Sequence, residues 1–498
     1  MKRIALSGFL ALMTAGASAQ SALSRAAHGI GGTAEAHISA AHGHTPLWLA
    51  SNRYGLAGTD GNFGYLRAAV ARAAEQDSTA AWRIGYGADF VAGYGLASTV
   101  FVQQLYADFD WRLLRLSIGQ KERAMEQKHA RLSTGAQTLG VNARPLPVVR
   151  LELPDYVNIA GKSRWVAVKG HVAYGLQPDG RFQRDYVGPA GRYAEHARYH
   201  SKAGYLRVGN ESRFPLTFEG GLEWVTQFGG TIRNYRDGNG TVYDIRQESG
   251  LKSFLHAFTG TGSDETDGAQ YANATGNAFG SWLLSLKYQG KGWAVRAYYD
   301  HYFEDHSQLF WQYGWRDGLA GIELTLPRNR AVSTVVYEYM NTEYQSGPVY
   351  HDFTAAIPDQ VSGRDNYYFH ALYQGNQNFG QPMGNPLFRS PLYNENGSLD
   401  FTDNRFRAHH VGLEGSPVEG LRYRVLYTHQ RSLGSYDSPA PEPRTMNALL
   451  AEARYAFGPQ SKVRGLYVGA AWGFDCGSLT GRNTGFSLTV GHKGLLVK

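Results

Sequence analysis

Polar and apolar positions alternate along most of this chain. Leu421 to Thr428, LRYRVLYT, sets the pattern: Leu421, Tyr423, Val425 and Tyr427 share one face, and Arg422, Arg424 and Leu426 take the other. The same period of two runs through Thr99 to Trp111, Trp165 to Tyr174, Gly280 to Gly290 and Gly292 to Asp305. It returns in Gly318 to Pro327, Ser333 to Met340, Asn447 to Phe457 and Val463 to Phe474. Such a period puts successive side chains on opposite faces of a sheet, so these segments are predicted strands. About eighteen can be placed from Tyr65 onward, each roughly 8 to 13 residues, which suits tilted bilayer-spanning strands of about 9–11 residues.

The connections are of two kinds. Gln289-Gly290-Lys291-Gly292 and Arg316-Asp317-Gly318 read as short turns, whereas Tyr235 to Asn277 and Tyr344 to Arg405 are long and polar. Short turns at one end and long loops at the other are the asymmetry of outer-membrane barrels. Aromatic residues gather near strand ends, as in Trp311, Tyr313 and Trp315, or Tyr298, Tyr299, Tyr302 and Phe303. Rings with an apolar body and a polar tip suit the boundary between lipid and water. The expected fold is therefore all-β: a transmembrane outer-membrane β-barrel of about 18 antiparallel strands with short helical or plug elements. A soluble sandwich or propeller also alternates, but its strands would be around 5–6 residues and propeller blades would repeat every 40–50 residues. No such repeat is visible.

The start of the chain predicts export. Lys2 and Arg3 precede an apolar run from Ile4 to Met13, and Ala17-Ser18-Ala19 offers a cleavage site, so residues 1–19 read as a secretory signal peptide. Residues 20–64 lack alternation and are expected to be an N-terminal periplasmic or plug segment, with the barrel and its long extracellular loops spanning 65–498. Arg123 to Leu132 is the clearest helical pattern in that region, and Gly485 to Gly491 is expected to be the last strand.

Composition narrows the partners. The chain has 61 Gly, 32 Tyr, 23 Phe and 10 Trp, and its mean hydropathy is negative. No run of 18 apolar residues follows the signal, so no membrane helix is expected. The net charge of +7 is scattered, which argues against a nucleic-acid surface and leaves a weak preference for an acidic partner such as lipopolysaccharide phosphate. Cys476 is the only cysteine, so no internal disulfide framework exists and no lipid anchor forms at the cleavage point.

Candidate chemistry lies mostly in the loops. Glu304-Asp305-His306 offers two carboxylates, yet adjacent strand residues point to opposite faces and do not converge as glycoside hydrolysis requires. His351, Asp352, Asp365 and His370 have no metal-ligand spacing, and His409 and His410 face opposite ways. Neither a phosphate loop nor a nucleophile elbow is present. What the loops do hold is a sugar-binding palette: Tyr344, Tyr350, His351, Asp352, Arg364, Asp365, Asn366, Tyr367 and Tyr368. Rings can stack on the C–H faces of saccharides while charged and amide groups pair with hydroxyls. These nine form the candidate polysaccharide-binding site, with no catalytic residue, metal or cofactor expected.

Longer motifs carry a resemblance. EDHSQLFWQYGWRDGLAGIELTLP (Glu304 to Pro327), YEYMNTEYQSGPVYHD (Tyr337 to Asp352), IPDQVSGRDNYYFHALYQG (Ile357 to Gly375) and GNPLFRSPLYN (Gly384 to Asn394) are similar to the Wzi family of capsule-assembly proteins, in its Bacteroides-type branch. NRFRAHHVGLEG (Asn404 to Gly415) and HTPLWLASNRYGL (His44 to Leu56) resemble it as well. The resemblance implies an 18-stranded outer-membrane barrel that acts as a lectin for capsular polysaccharide, with a small helical element closing its periplasmic side. It supplies no binding motif, so the nine residues rest on loop chemistry alone. The expectation is a monomeric, non-enzymatic barrel tethering or assembling a surface polysaccharide. A porin-like diffusion channel and an enzyme acting on glycan or lipid are the alternatives.

Overall fold

The computed structural model describes residues 26–77, 80–261, 276–304, 308–310, 315–327, 329, 331–347 and 364–497. The expected signal peptide lies outside them. Eighteen strands run up and down around one closed sheet. In chain order they are β1 (Ile30–His42), β2 (Phe63–Arg72), β3 (Trp82–Tyr94), β4 (Val100–Trp111), β5 (Leu114–Gln120) and β6 (Pro147–Asn158). Then come β7 (Val166–Leu176), β8 (Arg198–Val208), β9 (Leu216–Phe228), β10 (Asn277–Gln289), β11 (Ala294–Glu304) and β12 (Gly318–Thr325). The ring ends with β13 (Thr334–Asn341), β14 (Phe406–Gly415), β15 (Leu421–Gly434), β16 (Pro439–Ala456), β17 (Leu466–Cys476) and β18 (Asn483–Val497). β18 returns to β1, with Val497 beside Ile30 and Thr484 beside His42, so the sheet has no free edge.

Two expectations change here. The 20–64 segment is not all plug, because residues 30–42 are the closing wall strand. Alternation is present but muted: Glu35, His37 and Ser39 point inward between the small outward residues Ala34, Ala36 and Ala40. Glu35 also ties three strands together, accepting hydrogen bonds from the hydroxyls of Tyr65 at 2.9 Å and Tyr467 at 2.6 Å. The last strand likewise runs on past Gly491 to Val497, since β1 supplies it with a partner along its whole length.

The outward face is apolar. Ile322 pairs with Tyr337, Tyr337 with Val411, and Val411 with Tyr427, giving one exposed row across four strands. A row of large apolar side chains left exposed is a face built for hydrocarbon. Arg112-Leu113 alone joins β4 to β5, and residues 290–293 join β10 to β11; at the other end, residues 121–146, 229–276 and 342–405 connect wall strands. The long-loop end faces outward in barrels of this class. Arg316-Asp317 proves to lie at that end, at the close of a longer connection.

The lumen is filled. Residues 121–146 and parts of 43–62 and 342–405 fold inward and pack with the wall. Trp48, Leu132, Tyr302, Tyr367, Tyr368 and Phe388 share one buried cluster. The predicted helix at 123–132 does not form, because its side chains are committed to the wall instead. Lys128 pairs with Asp300 at 3.1 Å, both buried, and Arg131 reaches Glu414 and Glu452 at 3.5 and 3.4 Å. Glu338 on β13 accepts four hydrogen bonds: from the Ser133 hydroxyl (2.6 Å), the Thr134 amide and hydroxyl (2.7 Å each) and the Tyr298 hydroxyl (2.6 Å). His410 donates from Nε2 to the Leu132 carbonyl, 2.7 Å away, while its neighbour His409 faces outward as expected. Of the α-helices among the described residues, the short turn Leu47–Ala50 is the one buried in the lumen, where inward-folded loops surround it.

Candidate functional site

Among the described residues, the mouth at the long-loop end is built largely by 342–347 and 364–405. Asp317, just before β12, organises its entry. Its carboxylate accepts from the amides of Tyr344 (3.0 Å) and Gln345 (2.6 Å) and from the Tyr367 hydroxyl (3.2 Å). Burial pushes its pKa up to about 6, and these donors pull the other way.

The structure divides the nine predicted residues into three groups. Tyr350, His351 and Asp352 lie outside the described residues. Tyr344, Arg364, Asp365 and Asn366 do meet at the mouth. The Arg316 guanidinium sits 4.5 Å from the Tyr344 ring centre, and Asp365 accepts from the Ser346 hydroxyl at 2.7 Å. Arg364 and Asn366 both reach Asp437, at 3.4 and 3.0 Å. Arg364 and Asp437 remain exposed, so this is a solvated, charged ledge.

Tyr367 and Tyr368 do not belong to that ledge. They are fully buried in the lumen, and this corrects their reading as sugar-stacking rings. The Tyr368 ring is stacked on Phe388 at 3.8 Å and edged by Phe401 at 5.4 Å, so its faces are taken. Its hydroxyl donates to the Gln137 carbonyl and accepts from the Asn385 amide, which staples two inward loops together. Gly384 makes the fit possible: a Cβ there would stand 2.0 Å from that hydroxyl. Glu304 is committed too, accepting from the Tyr302 hydroxyl (2.5 Å) and the Tyr368 amide (2.9 Å); Asp305 and His306 lie outside the described residues. Burial drives the His370 pKa down to about 3, and its Nδ1 accepts from the amides of Leu372 and Tyr373. Among the described residues no group of three or more His, Cys, Asp or Glu is placed to hold a metal ion.

Sequence reasoning missed two parts of the mouth. One is the Ser435–Ser438 hairpin, whose Asp437 receives Arg364 and Asn366 and whose Tyr436 ring stacks on the Arg405 guanidinium at 3.7 Å. A Tyr-Asp pair in a tight outer turn was the available signal. The other is a cavity of about 440 Å³ between the inward loops and the wall, lined by His44, Arg389, Tyr393, Gln430, Asp475 and Asn483 among others. Tyr393 is its ring. It meets His44 edge-on at 5.3 Å and the Arg389 guanidinium at 5.2 Å, and burial raises its pKa so that it stays a neutral donor and acceptor. A concave site with one ring and several convergent polar groups can hold a small polar ligand such as a sugar unit. These residues come from segments far apart in the chain, so no local motif announces them.

No family model and no curated protein matches this sequence. Solved structures do. One is Wzi, an outer-membrane protein involved in group 1 capsule assembly in Escherichia coli and described as a carbohydrate-binding β-barrel; it matches with a TM-score of 0.56 at 14% identity, covering 92% of this chain and 83% of that one. OprD of Pseudomonas aeruginosa matches with a TM-score of 0.45 at 10% identity, covering 94% of each chain. At these identities the likeness is one of fold: this chain is an 18-stranded outer-membrane β-barrel similar in architecture to Wzi.

Proposed function

We propose that this barrel binds a polysaccharide at the outer surface and holds it at the cell, without making or breaking a bond. The observation that carries the reading is the filled lumen beneath a polar, ring-bearing mouth. A diffusion channel needs a continuous aqueous path, and a buried cluster inside the barrel that includes Trp48, Tyr302, Tyr367 and Tyr368 counts against one. A tether needs only outward-facing contacts. Wzi, the carbohydrate-binding barrel to which the fold is similar, adds support. The family resemblance in the sequence motifs points the same way, toward capsular or other surface polysaccharide.

In this reading the cavity at Tyr393 takes one sugar unit while the ledge at Tyr344, Arg364, Asp365, Asn366 and Asp437 meets others. Each contact is weak, and a repeating polymer engages several at once, so the second is favoured by the effective concentration the first creates. The test is deletion of the gene followed by measurement of polymer on cells and in the medium. Release of polymer is expected; unchanged retention overturns the proposal. A companion measurement is binding of isolated surface polysaccharide to the purified chain carrying Tyr393→Ala. Steady conductance by the native chain in planar bilayers would instead favour the channel.

A further inference from the structure

The helix Leu251–Thr259 lies outside the ring. Tyr174 donates its hydroxyl to the Phe254 carbonyl at 2.9 Å, Lys202 donates to the Phe258 carbonyl, and the Phe254 ring stands edge-on to Phe228 at 5.1 Å. Those wall residues face outward, because their neighbours His171, Ala173 and Ser201 line a cavity within the lumen. Further down the same outward faces, Val172, Leu206 and Phe218 are exposed and belong to the hydrocarbon-facing band. The helix therefore rests on the wall at the outer edge of that band.

Its own surface has three sides. At about 100° per residue, Ser253, Phe254 and Ala257 fall together and face the wall. Lys252, His256 and Thr259 form a polar side. Between them lies an apolar side of Leu251, Leu255 and Phe258, which are 91%, 60% and 40% exposed. A water-facing helix would place polar residues there. A helix wedged between a protein wall, hydrocarbon and water wants one side of each kind.

We propose that this helix is an interfacial anchor whose Leu251, Leu255 and Phe258 insert among the acyl chains of the outer leaflet. Two features identify lipid as the occupant. The apolar side continues the barrel's existing hydrocarbon face rather than standing apart from it. Cationic Lys252 and Lys202 lie beside it, complementing the anionic phosphates that border acyl chains. Trp282 extends the collar around the rim: its indole N–H donates at 2.6 Å to the carbonyl of Leu309, beside the exposed Phe310. The helix thereby fixes the height and tilt of the mouth relative to the membrane surface.

The test uses the full-length chain with Cys476→Ser and Leu255→Cys, spin-labelled and reconstituted into phosphatidylethanolamine–phosphatidylglycerol vesicles. Power saturation compares collisions with oxygen, which concentrates in hydrocarbon, and with a nickel chelate, which stays in water. A label at position 255 is expected to give an oxygen-to-nickel ratio several-fold higher than one introduced by Lys252→Cys. Equal, water-like ratios at both positions overturn the proposal. Low collision with both reagents, or spin–spin broadening, overturns it in favour of a protein contact. Heat-shifted gel mobility checks that each variant is folded, and Phe258→Cys gives the same reading if Leu255→Cys does not fold.

Discussion

Glu338 attaches the inward loop to the wall through a buried carboxylate, and Glu338→Ala tests whether that loop is a separable element. The carboxylate accepts four donors: one hydroxyl from Ser133, the amide and hydroxyl of Thr134, and the Tyr298 hydroxyl. All lie in buried surroundings, and truncation leaves them without an acceptor. An unsatisfied buried donor costs roughly 1–3 kcal/mol, though such costs do not add fully and water entering the space recovers part. We expect a loss of about 3 kcal/mol, which is roughly a 100-fold rise in local opening. The loss should be local, since the ladder of β13 with β12 and β14 uses backbone groups the mutation does not touch. The assay is amide hydrogen exchange in detergent. Amides from Leu132 to Gly140 are expected to exchange about 100-fold faster, with those of β12 to β14 unchanged. Glu338→Gln, which keeps an acceptor oxygen, should fall between. Unchanged exchange at Leu132 to Gly140 in Glu338→Ala would refute the reasoning, and so would global unfolding of the barrel.

Other expectations follow from the same structure. Tyr368→Ala removes the ring stacked on Phe388 and should cost about 3–5 kcal/mol of stability in the lumen cluster, read as a fall in the thermal transition; undiminished melting would return Tyr368 to the surface role first read for it. Asp317 has a pKa raised from the unfolded value to about 6, so its folded form binds the proton more tightly. Its contribution is therefore most favourable below pH 4 and declines, by on the order of 3 kcal/mol, as pH rises through 6. Melting of the native chain and of Asp317→Asn at pH 4.5 and 7.5 checks this: the pH slope between them should flatten in the variant. Val411→Arg places a charge in the outward apolar row and should cost roughly 2–4 kcal/mol in urea unfolding from vesicles; a neutral effect would move that row out of the hydrocarbon.

Alternation made the wall legible because each wall residue answers to only two environments, lipid and lumen. Arg422 and Arg424 were assigned the face opposite Tyr423 and Tyr427, and Arg424 indeed points inward to Glu452 at 2.9 Å. The strand at residues 30–42 escaped because Ala and Gly dominate it: its place is fixed by β18, more than 400 residues away, and by Glu35 bonding to β2 and, across β18, to β17. Arg123 to Leu132 looked helical because its composition favours helix, yet Lys128 and Arg131 gain more from buried and half-buried carboxylates than a helix would give. The mouth was half legible. Loop composition grouped Tyr344, Arg364, Asp365 and Asn366, which do meet at the mouth, but it could not separate a tyrosine left near the surface from one that stacks on Phe388. The 440 Å³ cavity draws on residues from His44 to Asn483, and no reading of one segment at a time would assemble it.

The seam between the first and last strands carries a consequence for biogenesis. One edge of β1 pairs with β2, but its other edge, thirteen residues long, finds its partner in β18, so the cylinder cannot zip shut until that distant strand has been made and delivered. Until then both seam strands carry unpaired backbone groups, and bringing such distant segments together carries the loop-closure entropy of nearly the entire polypeptide. Until the seam closes, the loops that fold into the lumen lack the complete wall that buries them.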